Sequence, residues 1–185
     1  MQREIEKTYE LTKLDYDTIK YKCEFIKDLD LKDYYLDTSD FILAKHDHFL
    51  RLRNGKYELK IFTFLWSVKE ALEYEDEDEI NEKLSEFNLT IDDCTWVCFV
   101  DTKREKYEYN FNGIKFTVDV DRYQYDARYE VEVILTNDSE FDWEERIESF
   151  RKMLWLIADG WRSASKVETC AMHQNIAFYE VISDY

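Results

Sequence analysis

Proline is absent from the 185 residues and glycine occurs only three times. This excludes polyproline or collagen-like segments and flexible glycine-rich linkers, and leaves few turns to be set by backbone-special residues. No apolar run is long enough to form a membrane-spanning helix. The opening residues, Met1-Gln2-Arg3-Glu4-Ile5-Glu6-Lys7, lack an apolar signal region, so a soluble, cytoplasmic protein is expected. Basic residues are scarce: 25 Lys and Arg stand against 42 Asp and Glu, a net charge of −17. That balance argues against broad binding to nucleic acid or an anionic membrane, both polyanions. It leaves room for a local basic pocket that takes a small anion, and it favours metal cations. The four cysteines are Cys23, Cys94, Cys98 and Cys170. Cys94 and Cys98 would face one side of a strand, as a zinc pair would need. No second Cys/His pair has ligand spacing, His46 and His48 being the nearest, so reduced, packed thiols are expected.

What is present fits a single domain, residues 1–185, with a sizeable core. Hydrophobic residues make up 45% and aromatics 17%, with 14 Tyr and 12 Phe, a composition that suits strands.

The stretch 49–60, Phe-Leu-Arg-Leu-Arg-Asn-Gly-Lys-Tyr-Glu-Leu-Lys, reads as a β-hairpin turning at Asn54-Gly55. Alternation puts Phe49, Arg51 and Arg53 on one face and Leu50 and Leu52 on the other. On the return strand Glu58 and Lys60 share a face opposite Tyr57 and Leu59. Cations aimed to one side of a hairpin in so acidic a chain call for a partner.

Elsewhere, residues 3–10 alternate with Glu4, Glu6 and Thr8 on one face and Ile5, Lys7 and Tyr9 on the other. Residues 14–28 have helical spacing, followed by a strand over 33–38. Ser39 or Asp40 is expected to cap a short helical turn over 41–45. Residues 61–74 read as one largely apolar strand. The acidic run 73–79 leads into a helix over about 77–86, with Ile80 and Leu84 inward. A long strand over 95–111 turns at Asn112-Gly113 into a strand over 114–121, and another strand covers 128–135. The clearest helix spans 141–158, its stripe being Trp143, Ile147, Phe150, Met153, Leu154 and Ile157, with Gly160 as C-cap. A last helix ends near Tyr179.

Three strands carry paired carboxylates: Glu4/Glu6, Asp119/Asp121 and Glu130/Glu132. Others carry cations on one face: Arg51/Arg53, Lys60 and Arg104. Each pair alone is ordinary surface decoration. Together they predict an antiparallel barrel with a polar interior, in which cations grip phosphate oxygens and carboxylates hold Mg²⁺ or Mn²⁺.

On these residues the chain resembles the CYTH family, the triphosphate tunnel metalloenzymes, and within it the animal-type thiamine triphosphatases. The E-x-E-x-K signature stands as Glu4-Ile5-Glu6-Lys7-Thr8, and the tyrosine–aspartate–threonine stretch as Tyr35-Leu36-Asp37-Thr38. The aromatic-L-R-x-R strand stands as Phe49-Leu50-Arg51-Leu52-Arg53 and the W/Y-E-L-K strand as Tyr57-Glu58-Leu59-Lys60. A family glutamate matches Glu73, with Glu70 as an alternative register. The T-K-R strand is Thr102-Lys103-Arg104, with Arg104 facing phosphate. Asp119/Asp121, Glu130/Glu132 and Ser165-Lys166 fill the remaining positions. The chain departs from the pattern at Thr8, where the signature has lysine. Lys7 lies on the opposite strand face, so that phosphate contact is missing unless Lys45, Lys69 or another cation replaces it.

The resemblance implies an α+β fold, an eight-stranded antiparallel β-barrel forming a triphosphate tunnel with flanking helices. Arg51, Arg53, Lys60, Arg104 and Lys166 would bind triphosphate, with Glu73 beside them and Phe49 as the aromatic platform for a substrate ring. Glu4, Glu6, Glu130 and Glu132, with Asp119 and Asp121 nearby, would hold Mg²⁺ or Mn²⁺. Lys60 and Tyr35 would activate water, Lys60 through a pKa lowered by neighbouring cations. The implied activity is release of the terminal phosphate of thiamine triphosphate or inorganic tripolyphosphate, by a monomer or homodimer. Rival readings are a class IV-like adenylate cyclase, an RNA 5′-triphosphatase, which the acidic composition disfavours, and a weakened triphosphate sensor, which Thr8 supports.

Overall fold

The computed structural model describes residues 2–65, 68–134, 142–157 and 165–183. Eight strands close into one barrel: β1 (Gln2–Glu10), β2 (Glu24–Asp37), β3 (His48–Arg53), β4 (Lys56–Leu65), β5 (Val68–Tyr74), β6 (Thr95–Phe111), β7 (Ile114–Tyr123) and β8 (Asp126–Ile134). Their order around the barrel is β1-β5-β4-β3-β2-β6-β7-β8. Every neighbouring pair is antiparallel, and β1 against β8 completes the closure. Closure removes the exposed edges that an open sheet would leave.

Both Asn-Gly turns form as expected. Asn54 and Gly55 have φ of 49° and 86°, and Asn112 and Gly113 have 51° and 78°, the two successive left-handed residues of a type I′ turn. Asn54 also ties the hairpin to β2: its amide donates to the Asp30 carbonyl at 2.8 Å, and its carbonyl accepts from the Lys32 N–H at 3.0 Å.

Most of the apolar core lies outside the barrel. Helices α1 (Lys13–Lys22) and α3 (Trp143–Leu154) cover the outer faces of β1, β6, β7 and β8, where Ile5, Tyr9, Tyr107, Phe116, Val118, Tyr129 and Val131 meet Ile147, Phe150 and Leu154. Phe150 stacks on Phe116 at 4.3 Å. Helix α2 (Glu77–Leu84) packs Ile80 and Leu84 on Leu50 and Leu59. Helices α4 (Lys166–Gln174) and α5 (Ile176–Ile182) bring Val167, Cys170 and Phe178 onto Tyr35, Val97 and Cys98. At the α4 end, β6 extends beyond its partner β7, and amide side chains satisfy its edge. Gln174 both donates to and accepts from the Phe99 backbone, and Asn175 donates to the Val97 carbonyl at 3.2 Å.

Several local expectations are corrected. The first helix ends at Lys22, and Phe25 and Ile26 lie exposed on β2, because the strand pairs with β6 from Glu24 onward. The turn after β2 is a single 3₁₀ turn over Ala44–His46. It is capped by Asp37, whose carboxylate accepts from the N–H groups of Thr38, Leu43 and Ala44, and by Thr38, whose hydroxyl accepts from Ile42. Ser39 and Asp40 do not take that position. Residues 61–74 form parts of two strands, β4 and β5, paired from Leu59↔Tyr74 to Leu65↔Val68. A largely apolar run without glycine, proline, asparagine or aspartate hid that pairing. Asp142 caps α3, which stops at Leu154 with Trp155 left-handed, so Ile157 lies beyond it and exposed. Gly160 and the ends of the predicted 141–158 helix fall outside the described residues. The C-terminal helix is two helices, broken at Asn175, which caps the second. All four cysteines are free and buried. Cys94 precedes β6 and packs under α2, whereas Cys98 packs under α4, so they are not a zinc pair.

Candidate active site

With the leucine, valine and tyrosine faces turned outward, alternation sends the charged faces of all the strands inward. They line a cavity of about 150 Å³. Glu6 and Thr8 reach it from β1, Tyr35 from β2, Phe49, Arg51 and Arg53 from β3, and Lys60 and Phe62 from β4. Arg104 comes from β6, Arg128, Glu130 and Glu132 from β8, and Ser165 and Lys166 from the start of α4. Ser165 caps α4 in a reciprocal box with Glu168, which fixes the first turn so that Lys166 enters the barrel end. Glu4, Glu73, Asp119 and Asp121 do not line the cavity but hold the cations that do.

These holdings form three groups. Arg104 meets Asp121 through two bonds of 2.7 Å and Glu130 at 2.9 Å, and is also bonded to Asp119. Lys166 is bonded to Asp121 and lies 3.5 Å from Glu130. Lys60 lies 2.9 Å from Glu4, 3.5 Å from Glu6 and 3.8 Å from Glu73. Arg51 bridges Glu58 at 2.5 Å and Glu73 at 3.2 Å, while Arg53 grips Asp33 through bonds of 2.6 and 2.7 Å. Glu73 is thus the inward glutamate; Glu70 pairs with Arg3 on the other face. Lys103 pairs with Asp30 outside, at 2.6 Å, leaving Arg104 as the inward member of its pair. Lys7 lies outside the barrel, 3.0 Å from Glu148 of α3. The exposed Lys45 donates to the Asp40 carbonyl at 2.5 Å. The Lys69 side chain is outside the described residues.

Burial disfavours charge on every one of these acids, and neighbours decide the outcome. Asp121 is held well below the ordinary carboxylate range because Arg104 and Lys166 outweigh its burial. Asp33 is lowered by its bonded Arg53, and Glu130 by Lys166 and Arg104. Glu132 goes far the other way: burial, then the charges of Asp119 and Glu4, raise it well above the ordinary carboxylate range. Asp119 and Glu73 are also raised, chiefly by burial. Lys60 reverses the expected lowering. Burial works against its charge, but Glu6, Glu4 and Glu73 together outweigh burial and raise its pKa. Burial raises the Tyr35 phenol.

Among the described residues, no group of three or more His, Cys, Asp or Glu side chains has the geometry to hold an ion as it stands, since the acids lie on Arg104, Lys60 and Lys166. Their chemistry nevertheless fits a hard divalent cation. Asp119 Oδ1 is fully buried without a hydrogen-bond partner, and Glu132 and Asp119 repel each other's charge. Both features are relieved by an oxygen-coordinated cation.

Sequence reasoning gives no site role to three interior residues. Asp33 was read as part of a strand without a role, yet its register opposite Arg53 makes the pair. Glu58 lies opposite Arg51 in the hairpin, a signal present in the turn spacing. Arg128 was seen only as the first residue of a strand.

Three solved structures share this architecture. The PH1012 protein of Pyrococcus horikoshii OT3 superposes with a TM-score of 0.60 at 19% identity, covering 89% of this chain and 98% of that one. The Hippeastrum protein HpAC1, provisionally assigned as an adenylyl cyclase and found to have a dominant triphosphatase activity, gives 0.58 at 17%, covering 97% and 95%. A provisionally assigned adenylate cyclase of Bacillus halodurans gives 0.57 at 15%, covering 91% and 98%. At these identities the likeness establishes the fold. No curated protein matches the chain. The family profile of the CYTH domain matches residues 2–158, a span that holds all eight strands of the charged barrel, and this chain therefore belongs to the CYTH domain family.

Proposed function

We propose that this protein is a divalent-metal-dependent triphosphatase that releases the terminal phosphate of a small triphosphate, thiamine triphosphate or inorganic tripolyphosphate, inside the barrel. The observation that carries this reading is the convergence of Arg51, Arg53, Lys60, Arg104 and Lys166 on one cavity in a chain of net charge −17. Buried cations at this density suit a polyanion, whose oxygens replace the carboxylates that now hold them. The dominant triphosphatase activity described for HpAC1 supports the same reaction.

Arg51, Arg53 and Arg104 would bind phosphate oxygens through paired N–H groups, with Asp33, Glu58 and Asp121 fixing their planes. Lys166 would close on the chain from the end of the barrel. Glu4, Glu6, Glu130 and Glu132, with Asp119 beside them, would hold Mg²⁺ or Mn²⁺, which supplies charge neutralisation and a polarised water. Water attacks the terminal phosphorus, the bridging P–O bond breaks, and the diphosphate end leaves. Lys60 is an ammonium in the ligand-free cavity and would neutralise the terminal phosphoryl group. To accept a proton from water, with Tyr35 beside it, Lys60 would first have to give up its own ammonium proton, a loss that Glu4, Glu6 and Glu73 oppose. Phe49 and Phe62, in edge contact at 5.6 Å, give the cavity an aromatic wall for a substrate ring.

The test measures phosphate and pyrophosphate from thiamine triphosphate, tripolyphosphate, ATP and 5′-triphosphate RNA, with Mg²⁺ or Mn²⁺. Phosphate that disappears with chelator is the expected result and names the substrate. Pyrophosphate from ATP would instead establish the cyclase reading, which the Bacillus halodurans neighbour favours. Tight triphosphate binding without turnover would make the protein a sensor.

A further inference from the structure

We propose that Arg128 is a sixth phosphate-binding cation of this cavity, occupying from β8 the position that Thr8 leaves open on β1. This rests on the triphosphate reading above and adds to it a residue that the sequence pattern did not single out.

Arg128 is fully buried and bounds the same cavity as the five cations already named. In the β1–β8 ladder Thr8 is opposite Glu130 and Glu10 is opposite Arg128. Thr8 and Arg128 therefore share the inner face as diagonal neighbours, about 7–8 Å apart at the backbone, a gap that a long side chain spans. Thr8 is short and leaves room on β1 in the cavity that Arg128 also bounds. Tyr123 fixes the guanidinium: its hydroxyl accepts a hydrogen bond from Arg128, and its ring lies 5.0 Å beneath. A planar fork fixed in this way can bind two phosphate oxygens. Of the other cations considered for this place, Lys7 lies outside the barrel on Glu148, and Lys45 is exposed and bonded to the Asp40 carbonyl.

The test is calorimetric titration of the full chain with the non-hydrolysable imido analogue of tripolyphosphate in Mg²⁺. The variants are Arg128→Gln, Thr8→Lys and the double substitution. Arg128→Gln should weaken binding about 10- to 100-fold, the range for one charged hydrogen-bonding contact. Thr8→Lys should restore at least tenfold in the Arg128→Gln background and tighten the wild type less than threefold. A purely structural arginine would not be rescued from β1, so failure of rescue overturns the proposal, as does unchanged binding by Arg128→Gln. If Arg128→Gln does not fold, Thr8→Lys alone decides: tightening of the wild type by tenfold or more means the contact was empty and overturns the proposal. Absence of analogue binding by the wild type would overturn the triphosphate reading itself, and this inference with it. That result is distinct from binding that ignores Arg128.

Discussion

Lys60 Nζ lies 2.9 Å from Glu4 Oε2, joining β4 to β1 across the inside of the barrel although β5 separates them in the sheet. The lysine is thus the common partner of three acids from two strands, and its charge, with Arg51 also on Glu73, makes them tolerable together.

Lys60→Met should therefore abolish phosphate release and also destabilise the fold by about 3 kcal/mol, the usual consequence of removing one side of a buried ion pair. Phosphate-release assays beside urea denaturation check both. Unchanged turnover would remove Lys60 from the proposed chemistry.

Asp33→Asn tests the Arg53 clamp and carries a pH signature. The folded pKa of Asp33 lies below its ordinary value of 3.8. Its stabilising contribution is therefore complete above the unfolded value and lost as pH falls through the folded one. At pH 7 the variant should be less stable by about 3 kcal/mol. The gap to wild type should close progressively below about pH 4. A gap independent of pH would mean that the pair contributes by shape alone.

Glu132→Gln should separate stability from function. Burial, Asp119 and Glu4 raise this carboxyl well above its ordinary range. Ionising it therefore costs the fold stability as pH rises from the unfolded value through the folded one. The substitution should stabilise the metal-free protein by about 1 kcal/mol, seen as roughly 2–4 °C in Tm and growing with pH. Metal-dependent turnover should fall at least tenfold. A loss of stability would show that the acids are not in surplus.

The thiols should be silent in the native protein. Burial pushes Cys23, Cys98 and Cys170 up to about 12 and Cys94 to about 11. Titration with an aromatic disulfide reagent at pH 8 should label none of them until denaturant is added. Rapid labelling of any one would identify a locally opening segment.

Local signals in the sequence were strong where two rules agreed. Asn54-Gly55 and Asn112-Gly113 lie between alternating strands, so turn chemistry and period fixed both hairpins and put Arg51, Arg53, Lys60, Asp119 and Asp121 on inward faces. The acidic run 73–79 and the Ile80/Leu84 stripe fixed α2 in the same way. Signals failed where one rule stood alone. The largely apolar run 61–74 had no glycine, proline, asparagine or aspartate to divide it, and the helical spacing of 14–28 ignored the long β6 partner that draws Glu24 onward into β2.

Alternation and turn chemistry are properties of neighbouring residues, so the sequence by itself determined the strands, their two faces and the gathering of acids and cations on one of them. Which acid holds which cation depends on the closed barrel, where Lys60 reaches Glu4 past β5 and Lys166 arrives from a helix far along the chain. The direction of each pKa follows from that geometry. Burial and the summed charges of neighbours make Lys60 more basic and Glu132 less acidic, and no reading along one strand contains those distances. The inward position of Arg128 was legible from its place two residues before Glu130, but only the β1–β8 register set it beside Thr8.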